Sequence, residues 1–166
     1  MYDEIFNQQD MINFQNLLIK NKQTITTAES CTGGLISSMI TEISGSSSIF
    51  NGAVITYSNK IKEQELEVRK DTMIEFGVVS CEVVEEMLNG VLKKFDADYA
   101  VAVSGIAGPN GGTINKPVGT VAIGVISKFG DREINIYHFN GTRKEVQIQT
   151  AKTALKINFE ILLKNS

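Results

Sequence analysis

The 166-residue sequence has no tryptophan, two prolines, two cysteines and a single histidine. Each scarcity removes a class of function. Cys31 and Cys81 are far apart and too few to build a disulfide framework, which suits a reducing, cytoplasmic setting. One histidine with two cysteines leaves no ligand set for a dedicated zinc site; carboxylate-held Mg²⁺ stays open although no acidic cluster calls for it, and no cofactor is expected. The same count nearly rules out a Ser-His-Asp triad. In "INIYHF", His138 alternates with Ile134 and Ile136 and is expected on their buried face. No apolar run is long enough to cross a bilayer, and "MYDEIFNQQD" lacks the basic flank of a signal peptide, so no membrane partner is expected. Sixteen basic residues against nineteen acidic ones give a net charge of −3. That balance offers no excess to neutralise nucleic-acid phosphates.

What is present fits one ordinary domain over residues 1–166. Hydrophobic residues make up 42% of the chain, enough to bury a core, and neither repeat nor linker interrupts it. "TITTA" (24–28), "GAVITYS" (52–58) and "DYAVAVS" (98–104) read as strands. Helices are predicted over 4–20, over 32–43 from the spacing of Leu35, Ile36, Met39, Ile40 and Ile43, and over the polar "NKIKEQEL". Asp71 and Ser80 are predicted N-caps of a short helix and of a longer one over 81–95. "VGTVAIGVIS" and "REINIYHF" flank "KFGD" as a hairpin. Thr142-Arg143-Lys144-Glu145 is a capping box opening a last helix, with Ile148, Ala151, Leu155, Phe159 and Leu162 as its buried stripe. Helices between strands argue for parallel pairing. The expected fold class is α/β: a mixed, mainly parallel sheet between helix layers, ending in a β-hairpin and a helix. Ser30, Tyr57 and Ser104 fall at the ends of three strands, where such folds bind ligands.

The segment "TTAESCTGGL" sets two nucleophiles, Ser30 and Cys31, at a strand-to-helix junction. The amides of Thr32, Gly33 and Gly34 at a helix start are candidate oxyanion donors for Ser30. Ser30 as a plain N-cap is the alternative. A Ser-Lys pair is the remaining route to an activated serine. "TYSNKIK" supplies Tyr57 at a strand end, then Lys60 and Lys62; desolvation can make either lysine a base for Ser30, although solvated lysines are the commoner outcome. "SGIAGPNGG" presents Ser104, Gly105, Gly108, Gly111 and Gly112 in a loop that forms either an anion nest or ordinary turns. Arg143 opposes the macrodipole in the first turn of the last helix, which an anion held there would compensate; Lys144 reads as solvent-facing. Cys31 competes with Ser30 as nucleophile, since helix starts depress thiol pKa values. Glu29 either orients a ligand hydroxyl or forms a structural ion pair.

The segments "TTAESCTGGL", "GAVITYSNKIK", "AVSGIAGPNGG", "KPVGTVAIGV" and "NGTRKEV", in that order, resemble the CinA C-terminal-domain family, whose characterised members are nicotinamide-nucleotide amidases. The resemblance implies a three-layer α/β/α sandwich, usually self-associated into a homo-oligomer, in the stand-alone form. It implies hydrolysis of the carboxamide of nicotinamide mononucleotide to nicotinate mononucleotide and ammonia. By position Ser30 matches the nucleophile, Tyr57 and Lys62 the Tyr and Lys of a "YSNxxK" motif, and Arg143 the Arg after the last strand. Gln147 departs from the pattern, because a second basic residue often stands there. Two other functions stay open beside this one: a pyridine-nucleotide binding module without turnover, and a small-amide hydrolase using Cys31.

Overall fold

Alternating side chains along a strand point to opposite faces, so a sheet with apolar residues at every position must be covered twice. Tyr99–Gly105 and Thr120–Ser127 are such strands, apolar but for their ends. The computed structural model describes residues 1–166. Its elements are α1 Gln8–Asn21, β1 Ile25–Glu29, α2 Leu35–Thr41, a 3-10 turn Ser46–Ser48, β2 Phe50–Ile55, α3 Asn59–Leu66, α4 Lys70–Phe76, α5 Cys81–Phe95, β3 Tyr99–Gly105, β4 Thr120–Ser127, β5 Arg132–His138 and α6 Arg143–Lys164. The strand order is β2-β1-β3-β4-β5. β1 pairs parallel with β2 and β3, whereas β3–β4 and β4–β5 are antiparallel. The parallel share is therefore half of the pairings, smaller than the strand–helix alternation suggests. No helix separates β3 from β4, so β4 returns antiparallel.

α1, α2 and α6 cover one face, packing on Tyr99, Val101, Val103, Ile123 and Val125. α3 and α5 cover the other, packing on Ala28, Ala100, Ala102 and Ala122. The small side chains on that second face let α5 lie close. A Cβ at Gly124 would collide with Leu88 and Val84. The result is a three-layer α/β/α sandwich. No helix is long and apolar enough to cross a membrane.

Local sequence accounts for most boundaries. Ser80 caps α5, its Oγ accepting from the Val83 amide at 3.2 Å, and Thr142 with Glu145 forms a reciprocal capping box on α6. α1 starts at Gln8 rather than at residue 4, because Asn7 and Asp10 make a capping box of their own. Asp71 is not a cap: Arg69 takes that position in α4, and Asp71 sits in the first turn, where its charge favours the helix N-terminus. α2 covers 35–41 instead of 32–43. Gly33 and Gly34 have φ of +60° and +107°, so residues 31–34 form a turn that only glycine adopts without strain.

The expected burial of the Ile134–Ile136–His138 face is corrected. β5 is an edge strand that reaches beyond α5. Ile134 packs against the α5 layer, but Ile136 is 41% exposed and His138 is exposed, its Nδ1 3.3 Å from Thr120 Oγ1.

One helix contact bears on function. A Cβ at Gly90 of α5 would fall onto the carbonyl of Leu66, the last residue of α3. Gly90→Ala is expected to cost about 1–3 kcal/mol through overpacking. It should lower the Tm by several degrees and displace α3, and an activity loss exceeding the unfolded fraction would report that displacement.

β1, β2 and β3 run parallel, so their C-terminal ends share one edge of the sheet. β4 starts at that edge and β5 ends there. Ser30, Tyr57, the loop 106–119 and the start of α6 are thereby brought together.

Candidate active site

Strand alternation continues through the end of β1 and sends Glu29 and Ser30 to opposite faces. Ser30, 8% exposed, turns toward α3. There the Lys62 Nζ lies 3.2 Å from Ser30 Oγ and donates to the Thr56 carbonyl at 2.8 Å. Lys62 is 2% exposed. Burial disfavours its ammonium form and lowers its pKa from the ordinary lysine value. Ser58 positions the lysine by capping α3, its Oγ accepting from the Ile61 amide at 3.3 Å. Lys60, two residues earlier, is exposed.

Ser30 opens onto a cavity of about 260 Å³, shared with Cys31, Tyr57, Gly105, Ile106, Ala107, Gly108, Asn110, Gly111 and Arg143. The amides of Cys31, Ala107, Gly108, Asn110 and Gly111 have no acceptor within the protein. Unpaired amides from successive loop residues form a concave donor set for an anion or an oxyanion. Arg143 donates to the Gly108 carbonyl at 2.7 Å and to the Tyr57 hydroxyl at 2.5 Å, so it bridges the rim. Tyr57 is 61% exposed and bonds neither Ser30 nor Lys62.

Several sequence candidates lie elsewhere. Of the three turn amides, Gly33 donates to the Ser30 carbonyl at 3.0 Å, while Thr32 and Gly34 are unpaired but are not among the residues that line the cavity. The Ser104 hydroxyl donates to the Val78 carbonyl at 2.8 Å, because Ser104 belongs to the α5-facing side of β3. A Cβ at Gly112 would press on Val118, so that glycine serves packing. Glu29 is 0% exposed. Its carboxylate accepts from Thr32 Oγ1, the Ile36 and Ser37 amides and Ser37 Oγ at 2.6–2.9 Å, and from Thr27 Oγ1 at 3.3 Å. It anchors α2 instead of meeting a ligand. Cys31 is buried with its thiol pKa pushed up to about 12, chiefly by desolvation, which removes it as a thiolate nucleophile at neutral pH. No three side chains of His, Cys, Asp or Glu come together as a metal site. A second cavity of about 270 Å³, between the N-terminal segment, α1, α2 and Lys152, contains neither Ser30 nor Lys62.

The segments that build this pocket lie within residues 8–162, and that span matches the CinA C-terminal domain. The chain belongs to the CinA C-terminal domain family. The CinA-like protein of Endomicrobium trichonymphae is 50% identical over 141 residues, which cover 85% of this chain and 33% of that protein. The CinA-like protein of Fervidobacterium nodosum is 48% identical over 146 residues, covering 88% and 35%. The chain thus spans about a third of the length of the curated relatives it matches. Among solved structures, the competence/damage-inducible protein CihA from Agrobacterium tumefaciens superposes with a TM-score of 0.90 at 35% identity, covering 93% of this chain and 94% of that one. The competence damage-inducible protein A (ComA) from Klebsiella pneumoniae gives 0.90 at 33%, covering 94% and 96%.

Within this CinA fold, sequence reasoning did not foresee three sets of contacts around Ser30. The Thr56 carbonyl that holds Lys62 has no sequence signal, since any residue carries a carbonyl. The unpaired amides of Cys31, Ala107 and Asn110 are likewise backbone groups. Gln147, whose Nε2 donates to the Cys31 carbonyl at 3.0 Å, stood out in the sequence only as an unusual residue.

Proposed function

We propose that the protein is an amidohydrolase acting on the carboxamide of nicotinamide mononucleotide. The observation that carries this reading is the contact between a buried lysine and a serine hydroxyl at the mouth of an amide-lined cavity. Neutral Lys62, its N–H on the Thr56 carbonyl, offers its lone pair to the Ser30 O–H. The alkoxide oxygen attacks the carboxamide carbon and the proton passes to Lys62. The oxyanion is met by unpaired amides, with Cys31, next to the nucleophile, nearest in sequence. Lys62 returns the proton to the leaving nitrogen and ammonia departs. Water, deprotonated by the same amine, then cleaves the acyl-Ser30 ester to nicotinate mononucleotide and restores the serine. A proton path through Tyr57 has no hydrogen bond to follow, so Lys62 acts directly.

The phosphate end falls to Arg143 and the 107–111 amides. Arg143 uses two of its five N–H donors on Gly108 and Tyr57 and keeps three for an anion. The experiment is ammonia release by the purified protein from nicotinamide mononucleotide, nicotinamide riboside, nicotinamide and unrelated amide nucleotides. Release from the mononucleotide above all others is expected. Thermal stabilisation by the mononucleotide with no ammonia released would make the pocket a binding module and overturn the amidase assignment.

A further inference from the structure

We propose that Gln147 is a positioning residue that couples occupation of the anion end of the pocket to the geometry of Ser30; this rests on the amidase reading above. Arg143 and Gln147 are four residues apart on α6 and share one face. From that face Arg143 reaches Gly108 and Tyr57, while the Gln147 amide reaches the Cys31 carbonyl. Two turns of one helix therefore hold three segments distant in sequence: the end of β2, the Gly-rich loop and the turn that follows the nucleophile.

That turn has few other fastenings. Its backbone bonds are Gly33 to Ser30, Leu35 to Thr32 and, where it enters α2, Ser38 to Gly34, and none of them involves Cys31. Gly33 faces open space. Apart from Gln147, the only side-chain hydrogen bond reaching residues 31–34 is the Thr32 hydroxyl on Glu29. The Cys31 carbonyl and the Thr32 amide belong to one planar unit. Holding that carbonyl fixes the Cys31–Thr32 plane and, with only the φ and ψ of Cys31 between them, restricts the Ser30–Cys31 plane that carries the nucleophile. An anion bound by Arg143 draws on the first turn of α6, and Gln147, one turn later on the same rigid element, carries the adjustment to the nucleophile. A ligand without the anion leaves the strut where it is. The phosphate should then raise kcat as well as lower KM, since binding energy far from the reacting bond is used to orient it.

The test compares nicotinamide mononucleotide with nicotinamide riboside in wild type, Gln147→Ala and Gln147→Lys. In wild type the phosphate is expected to raise kcat by about tenfold, a usual size for such coupling. In Gln147→Ala that advantage in kcat collapses while the KM for the mononucleotide changes little. Gln147→Lys keeps a donor to the Cys31 carbonyl and recovers the advantage. A second readout needs no turnover: nicotinate mononucleotide, the product, is expected to slow hydrogen exchange in residues 29–36 of wild type, and nicotinate riboside to slow it less. The difference should vanish in Gln147→Ala. Retention of either phosphate effect in Gln147→Ala overturns the coupling, as does a wild type in which the phosphate has no effect on exchange. A wild type that releases no ammonia from any amide overturns the amidase reading alone, and the exchange measurement still decides the coupling.

Discussion

Ser30→Ala is expected to abolish ammonia release, lowering kcat by about 10⁴-fold or more, while the fold and the affinity for the phosphate end persist. The size follows from the role. In the proposed mechanism Ser30 supplies the bond that divides amide hydrolysis into two steps, and without it Lys62 has no hydroxyl to deprotonate. No neighbour substitutes. Cys31 is buried with a strongly raised thiol pKa, and Tyr57 is held at the rim by Arg143. The substitution removes one oxygen from a buried position and leaves the Glu29 anchor of α2 untouched. Thermal stabilisation by nicotinamide mononucleotide should therefore match wild type. A Ser30→Ala protein that still releases ammonia at near wild-type rate would move the nucleophile elsewhere.

Lys62→Met is expected to have the next largest effect, a loss of about 10³-fold or more, because both proton transfers of the proposed mechanism depend on the amine. Its diagnostic value lies in pH. In wild type, kcat/KM should rise with pH as Lys62 loses its proton, with a midpoint below the ordinary lysine range because burial disfavours the ammonium. The variant lacks that rise. Stability carries the same signature. At low pH the side chain is ammonium in both folded and unfolded chains, and burying it opposes folding. Above the unfolded value, about 10.4, it is neutral in both and the penalty is gone. Between the two pKa values the unfolded chain binds more protons, so stability rises with pH there. The Tm of Lys62→Met minus that of wild type should accordingly fall as pH climbs from neutrality toward about 10. A difference constant across that range would show that Lys62 is not held in a desolvated site.

Much of this was legible in the chain because it is local. Ser80 and the Thr142–Glu145 box announce their helices through side chains that bond amides three residues on. The Ser30–Lys62 pair could be narrowed by elimination, since one histidine and two cysteines leave few other ways to activate a nucleophile, but Lys60 and Lys62 were separable only by resemblance. The structure separates them by burial, and helical rotation is the cause: two positions apart on α3, one faces the sheet and the other water. Glu29 and Ser104 misled because a polar residue at a strand end has two faces to choose from, and a carboxylate in sequence does not reveal that five donors await it.

The amino-acid sequence by itself determined the order of helices and strands, the caps that start α5 and α6 and the supply of groups able to do chemistry. These depend on residues near one another in the chain. Only the tertiary structure decided that one lysine is stripped of water beside one serine, that unpaired amides of Cys31 and the Gly-rich loop line the cavity they share, and that α6 ties these parts together. Desolvation and hydrogen-bond partners are set by segments the chain brings from far apart, and no local pattern encodes them.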